Sequence, residues 1–287
     1  MAATSDANPT VAAITVSFGS EQVLPALVAS LSGASRSRVQ LIVVDNRPLP
    51  DVESITRAAG ASYLPMPQNP GYGAAVNAGA RLAQDSVEWF LIVNPDVTLE
   101  ADAIDRLVEL GSREPTVGAL GPAILTPDGD IYPSARRVPS LRTGVGHALF
   151  ANAWPRNPWS RQYRQDGESV ARDAGWLSGA CLLVRREAFD AVHGFDEGYF
   201  MYFEDVDLGM RLTRAGWRNR YEPTARVVHT GAHATVKSQG EMLDAHHASA
   251  NRFLAKKYPG PIWLPVRLVL RVGLAVRSRL TRLRNAG

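Results

Sequence analysis

Val87-Glu-Trp-Phe-Leu-Ile-Val-Asn-Pro-Asp96 is the stretch on which the fold turns. Val87–Val93 is an apolar run of strand length, rich in β-branched and aromatic residues, and it stops at a polar end, Asn94-Pro-Asp96. It is the fourth of a series. Val11–Ser17 and Val39–Asp45 read as buried strands, and Ala61–Met66 as a shorter one. Helical patterns lie at about Glu21–Leu31 and Gly73–Leu82. Strands alternating with helices at this spacing predict an α/β fold, with a mostly parallel central sheet flanked by helices. Ligands of such sheets bind beyond the carboxyl ends of the strands. Thr15, Ser17, Asp45, Asn46, Asn94 and Asp96 all lie at those ends.

Downstream, Ala119–Leu125 and Gly179–Val184 are strand-like and Ala225–His229 is another short strand. Between them, Thr126–Asp173 loses regularity and is dominated by Pro, Gly, Arg and aromatics, as in Trp154-Pro-Arg-Asn-Pro-Trp159. It reads as a long irregular segment near a substrate site. Met201-Tyr-Phe-Glu-Asp-Val206 follows, with paired carboxylates at the start of a helix that ends around Ala215-Gly216. An enzyme that takes a proton from a hydroxyl needs a carboxylate held in a sheltered, partly apolar place. The aromatics supply the shelter, and the helix start favours the ionised form while desolvation opposes it. The plainer reading is that Glu204 and Asp205 cap the helix. Trp176 can stack on a sugar ring or simply pack in the core.

Asn69-Pro-Gly-Tyr-Gly-Ala-Ala-Val-Asn77 has glycines that permit close backbone approach, and Asn77 can orient the loop or the donor; a structural turn with tight helix packing is the plainer reading. It is not a dinucleotide fingerprint, because Gly71-Tyr-Gly73 follows a Pro-rich turn and Asp45 lies upstream of it. An NAD-dependent oxidoreductase is the rival from another class, with the absent fingerprint and the Glu204-Asp205 block against it, and a non-catalytic membrane adaptor is a third reading. Failure to bind nicotinamide cofactors tests the first, and any turnover tests the second.

With 287 residues and 45% apolar content, the chain can bury a full core. The single Cys181 excludes an internal disulfide and fits a reducing cytoplasm. Neither a secretory segment nor an uncharged apolar run of membrane-spanning length, about 18 residues, is visible. The net charge of +3 hides an asymmetry. Residues 261–287 hold six arginines and no acid, leaving 25 basic and 28 acidic residues elsewhere. Ile262, Trp263, Val266, Val269, Leu270, Gly273, Val276 and Leu280 follow approximate helical spacing among those arginines. A basic amphipathic helix of this kind suits an anionic membrane surface; packing on the body is the alternative. Nucleic acid is not expected as a partner, since only Trp263 supplies an interleaved aromatic. The expected organisation is a domain over 10–258, with a donor half at about 10–125 and an acceptor half at about 126–258, followed by a tail over 259–287.

The block from Trp176 to Trp217, with Glu204-Asp205 at its heart and the strand ends before it, resembles the inverting family 2 glycosyltransferases. The resemblance runs from about Val11 to about His229. It implies a nucleotide-diphospho-sugar transferase (GT-A type) fold and sugar transfer. It implies Asp205 as catalytic base with Glu204 orienting it or the acceptor, and Trp176 at the acceptor. Asp45 would accept from the N3–H of a pyrimidine, unless it merely caps a turn. Thr15, Ser17, Asn46, Gly71, Asn77 and Asn94 would line the donor nucleotide. Asn94-Pro-Asp96 corresponds to an Asp-any-Asp motif whose first Asp is here Asn. Asp96, completed by His229, would hold Mg²⁺ or Mn²⁺. Across its length the chain is similar to bacterial rhamnosyltransferases that use dTDP-rhamnose and a polyprenyl-diphosphate-linked N-acetylglucosamine, in the linker between peptidoglycan and arabinogalactan. That implies a peripheral enzyme at the inner face of the plasma membrane. UDP-galactofuranose or UDP-glucose as donor would leave every motif intact.

Overall fold

The computed structural model describes residues 10–140, 170–231 and 239–273. Four strands build the first part of the sheet: β1 (Val11–Ser17), β2 (Val39–Asp45), β3 (Ser62–Pro65) and β4 (Trp89–Val93). They lie in the order β3-β2-β1-β4, all parallel. Next come β5 (Val97–Leu99), β6 (Val117–Leu125), β7 (Ile131–Tyr132), β8 (Ala135–Arg136), β9 (Arg172–Ala174), β10 (Trp176–Leu177), β11 (Cys181–Arg185) and β12 (Arg218–His229). The sheet continues β4-β11-β6-β12-β5. β11 runs antiparallel to both β4 and β6, so β6 and the β12 beside it again point the way of β4. β5 returns antiparallel along the end of β12.

Alternation along the strands divides the core. Val11 and Ala13 of β1, with Leu91 and Val93 of β4, face one apolar cluster; Ala12, Ile14, Phe90 and Ile92 face the other. The first is covered by helices α1 (Leu24–Ala34), α2 (Pro50–Ala58) and α4 (Ala103–Arg113), through Leu24, Leu27, Val52, Ile104 and Leu107. The second is covered by α3 (Tyr72–Ala80), α5 (Arg186–Ala191) and α6 (Glu204–Arg214), through Val76, Phe189, Leu208 and Leu212. Each fully buried aliphatic of this kind stabilises by roughly 1.5–3 kcal/mol.

The structure differs from the sequence expectations in identifiable places. α2 and α4 were not anticipated, although Pro50 at the first turn with Asp51 and Glu53 behind it is a helix-start signal. β12 is 12 residues long where only Ala225–His229 read as strand. Its first part carries charge and Pro223, and the ladder breaks register between Glu222 and Arg226. The donor and acceptor halves are halves of sequence only: β11, from the second, is inserted between β4 and β6 of the first. Most of the irregular segment, residues 141–169, lies outside the described residues.

Helix α7 (Gln239–Lys257) packs Phe253 into a third cluster with Tyr199, Val206 and Met210. An ionic network ties it to α6. Lys256 Nζ lies 2.6 Å from Asp207 Oδ1 and 2.7 Å from Asp196 Oδ2, and Arg211 bonds Asp207 at 2.6 Å. A 3₁₀ turn, Pro261–Trp263, leads to helical residues 264–273. There Leu264, Val266, Leu268, Val269 and Val272 are exposed. No helix among the described residues is long and apolar enough to cross a membrane. The remainder of the expected tail helix, including Val276 and Leu280, lies outside the described residues.

Candidate active site

Strand direction assembles the site. Ser17 and Asp45 end β1 and β2 as register partners. Asn94 and Asp96 follow β4, and His229 ends β12. The reversed β11 begins at this edge, with Cys181 opposite Val93. One rim of the sheet therefore holds both the strand ends and the segment that enters β11.

Two of the expected metal ligands meet. β5 pairs Val97 with His229, and the His229 Nε2 lies 3.1 Å from Asp96 Oδ1 and 3.5 Å from Asn94 Nδ2. Burial works to raise the Asp96 pKa, but the hydrogen bond and charge of His229 bring it below the ordinary carboxylate value. Among the described residues no group of three or more His, Cys, Asp or Glu could cage a metal. One carboxylate with one imidazole fits instead a cation completed by substrate phosphates and water, as Mg²⁺ commonly is.

On the donor side, Asp45 is fully buried. Its carboxylate accepts from the Arg47 and Leu49 N–H groups at 3.2 and 3.1 Å and from the Tyr63 hydroxyl at 3.0 Å. The turn-capping role is thus real, and one of about four lone-pair positions stays available. The Thr15 and Ser17 hydroxyls and Asn46 Oδ1 are buried without a protein partner, as polar atoms awaiting a ligand or water would be. Asn46 Nδ2 holds Asn69 Oδ1 at 3.0 Å and the Gly71 carbonyl at 3.3 Å. Asn77 takes the loop-orienting one of its two expected roles. Its amide donates to the Phe195 carbonyl (2.9 Å) and Glu197 (3.1 Å), and its oxygen accepts from Phe195 N–H (2.9 Å). It pins the 195–197 turn and has no donor group left for a nucleotide. Gly71 likewise serves a contact within the chain. Its φ is 95°, and a Cβ there would lie 2.3 Å from the Phe200 carbonyl oxygen, which accepts from Tyr72 N–H at 2.9 Å.

That contact sets the aromatic turn carrying the acids. Tyr202 and Phe203 both adopt positive φ, 68° and 67°, before α6 begins at Glu204. Phe203 is held by its ring packing on Phe253 and His246, with centroids 5.5 and 5.4 Å away. Asp205 is anchored across the rim: its Oδ2 accepts from Gly179 N–H at 3.0 Å and its Oδ1 from Val206 N–H at 2.8 Å. Glu204 is buried, and its Oε2 has no partner. Burial first, and the Asp205 charge second, push the Glu204 pKa up from 4.5 to about 8. Burial also raises Asp205, against the N–H bonds from Gly179 and Val206 and the charge of Arg136. The two N–H bonds on Asp205 favour ionisation there, and the unpartnered Oε2 of Glu204 favours the proton on Glu204.

Trp176 shows the packing that was one of its two expected roles. It is half-buried against the cluster of Tyr199, Val206, Met210 and Phe253, with its indole N–H on the Arg137 carbonyl at 3.1 Å. It also remains partly open beside Arg136, whose guanidinium lies 5.8 Å from its ring centre. Three neighbours were missed in the sequence. Tyr72 is half-buried beside both acids and donates to the Gly179 carbonyl at 2.8 Å; its only signal was its place between two glycines. Gly179 and Arg136 carried no signal, because long-range register alone brings them here.

The profile of the family described as "Glycosyl transferase family 2" matches residues 12–192, and that of "Glycosyl transferase family group 2" matches residues 150–241. An N-acetylglucosaminyl-diphospho-decaprenol L-rhamnosyltransferase of Mycobacterium tuberculosis is 45% identical, over 94% of this chain and 91% of its own length. The rhamnosyltransferase WbbL of Escherichia coli is 30% identical, over 85% of this chain and 92% of its own. Among solved structures, the mannosyltransferase PcManGT of Pyrobaculum calidifontis, in complex with GDP-Man and Mn²⁺, covers 98% of this chain and 77% of its own, with TM-score 0.58 and 15% identity. The last likeness concerns the fold, which is the GT-A architecture expected from the sequence.

Proposed function

Given that the chain belongs to glycosyl transferase family 2, we propose that it is an inverting rhamnosyltransferase. It moves L-rhamnose from dTDP-rhamnose to a polyprenyl-diphosphate-linked N-acetylglucosamine in bacterial cell-wall synthesis. The observation that supports this most is the Glu204–Asp205 pair on the same rim as Asp96 and His229, in a chain 45% identical to an enzyme named for that transfer. Family membership removes the oxidoreductase reading.

Asp205 takes the proton from the acceptor hydroxyl, whose oxygen then attacks the anomeric carbon opposite the leaving nucleoside diphosphate. The configuration inverts in this single displacement. Glu204, protonated, holds no charge against the incoming hydroxyl. Asp45 uses its remaining lone pair for the thymine N3–H. Thr15, Ser17 and Asn46 offer unsatisfied polar atoms to the rest of the nucleotide. Asp96 and His229 would hold Mg²⁺ or Mn²⁺, which would supply positive charge to neutralise the leaving diphosphate. The exposed apolar side chains of 264–273, with the arginines among and beyond them, seat the enzyme on an anionic membrane surface where the acceptor resides. The protein is then a peripheral one at the inner face of the plasma membrane.

The test is mass-spectrometric assay of purified protein with a panel of nucleotide sugars and a short-chain lipid-diphospho-N-acetylglucosamine. Addition of rhamnose from dTDP-rhamnose is expected, with loss of turnover in chelator and recovery with either metal. Transfer from UDP-glucose or UDP-galactofuranose alone would replace the donor assignment, and full activity in metal-free protein would remove the cation.

A further inference from the structure

We infer that Arg136 binds the diphosphate of the acceptor, and so is what makes a diphospho-linked sugar the preferred substrate. The inference rests on the acceptor class proposed above and names the group that reads it.

Arg136 sits on a two-stranded ribbon apart from the main sheet, where β8 pairs with β10 and Arg136 is the register partner of Trp176. Cross-strand partners present their side chains on the same side of such a ribbon. The guanidinium is accordingly found beside the indole, 5.8 Å from its ring centre and 5.6 Å from that of Tyr132. Its Nε is tied to the Pro133 carbonyl at 2.7 Å. That bond fixes the plane of the fork, and among the described residues the two terminal nitrogens have no hydrogen-bond acceptor. Among the described residues no carboxylate pairs with it, unlike Arg211, Arg218 and Arg252, each of which has an acidic partner. A rigid fork with open terminal nitrogens suits bidentate contact with phosphate oxygens.

Position gives the reason for this cation. The Arg136 charge is felt at Asp205, where it favours the carboxylate. A diphospho-sugar places two negative charges about one sugar ring away from the hydroxyl it offers to the base. Bringing a dianion that close to a carboxylate which must stay ionised is opposed by charge repulsion. A fixed cation close enough to act on Asp205 offsets that repulsion. With the sugar against Trp176, the hydroxyl faces Asp205 and the diphosphate meets Arg136. Donor phosphate has its own place, at Asp96 and His229.

The experiment compares two acceptors with the same sugar, a farnesyl-diphospho-N-acetylglucosamine and an octyl glycoside of N-acetylglucosamine without phosphate. Measurements are made at a pH where the rate has levelled, on wild type, Arg136→Ala and Arg136→Gln; the Gln variant keeps a polar chain of similar width should the Ala variant fail to fold. Wild type should show the lower KM for the diphospho acceptor. Each variant should raise that KM about ten- to a hundredfold, the scale of a lost charge-assisted hydrogen-bond pair, closing the gap between the two acceptors while the donor KM stays put. Arg136→Lys should restore part of the gap. A gap that persists in the variants overturns the inference, as does a rise confined to the donor KM, which would place the guanidinium on the nucleotide. Wild type inactive on the diphospho acceptor but active on another would remove the acceptor assignment itself, and this inference with it.

Discussion

Asp205 and Glu204 occupy adjacent positions yet live in different surroundings, and the difference assigns their protons. Two backbone N–H groups bond Asp205, whereas Glu204 Oε2 has none. Asp205→Asn should leave donor binding intact and lower transfer by about 10²–10⁴-fold, the usual yield of a general base; single-turnover rates beside donor titration would show it. Because Asp205 itself titrates above the ordinary carboxylate range, transfer should climb with pH in a window above that range. Stability runs the other way. Folded Glu204 keeps its proton to about 8, while an exposed glutamate loses it near 4.5. The folded state binds more protons between those values, so this residue's contribution falls as pH rises from 4.5 to 8. Glu204→Gln should flatten that fall, as thermal melts across the window would reveal. The carboxylate pair was legible in the sequence because neighbouring residues announce it. Which of its two expected roles Asn77 takes was not legible, because its partners, Phe195 and Glu197, lie over a hundred positions away.

At the scale of elements, β1 and β2 were readable to the residue, since a strand buried on both faces is a plain apolar run. β12 was only half readable: charged residues and Pro223 mask a strand whose pairing with β6 is set by tertiary contacts. The start of α3 shows how one element fixes another. Gly71 lets the chain pass so close to Phe200 that a methyl group would collide with its carbonyl, and this approach orients the turn that delivers Glu204 and Asp205. Gly71→Ala combines that collision with a backbone conformation disfavoured for any L side chain, and should destabilise the fold by about 2–4 kcal/mol. Denaturant melts would measure the loss. Turnover of the remaining folded protein should also drop, because the acids move with the turn; unchanged turnover would separate the two elements.

For the whole molecule, α7, which precedes the tail, is tied to the body by the ion pairs of Lys256 to Asp207 and Asp196. Removing residues 261–287 should weaken co-sedimentation with anionic vesicles and slow transfer to a long-chain acceptor, each surface arginine contributing about 1 kcal/mol. Transfer to a short soluble acceptor should change little. Equal sedimentation of both forms would reject the membrane role, and unfolding of the shortened chain would favour a packing role. The charge asymmetry behind this prediction was legible in composition, whereas the insertion of β11 between β4 and β6 left no trace there. That insertion bears on how the molecule comes into being. A ribosome delivers β4 and β6 well before residues 181–185, and until those arrive the two strands expose unpaired backbone along facing edges. A nascent chain is thus obliged to wait, with sticky borders open, for a segment made some sixty residues later than β6. Cutting the gene between the two halves yields no independently foldable piece, and protection of the growing chain becomes part of making the enzyme.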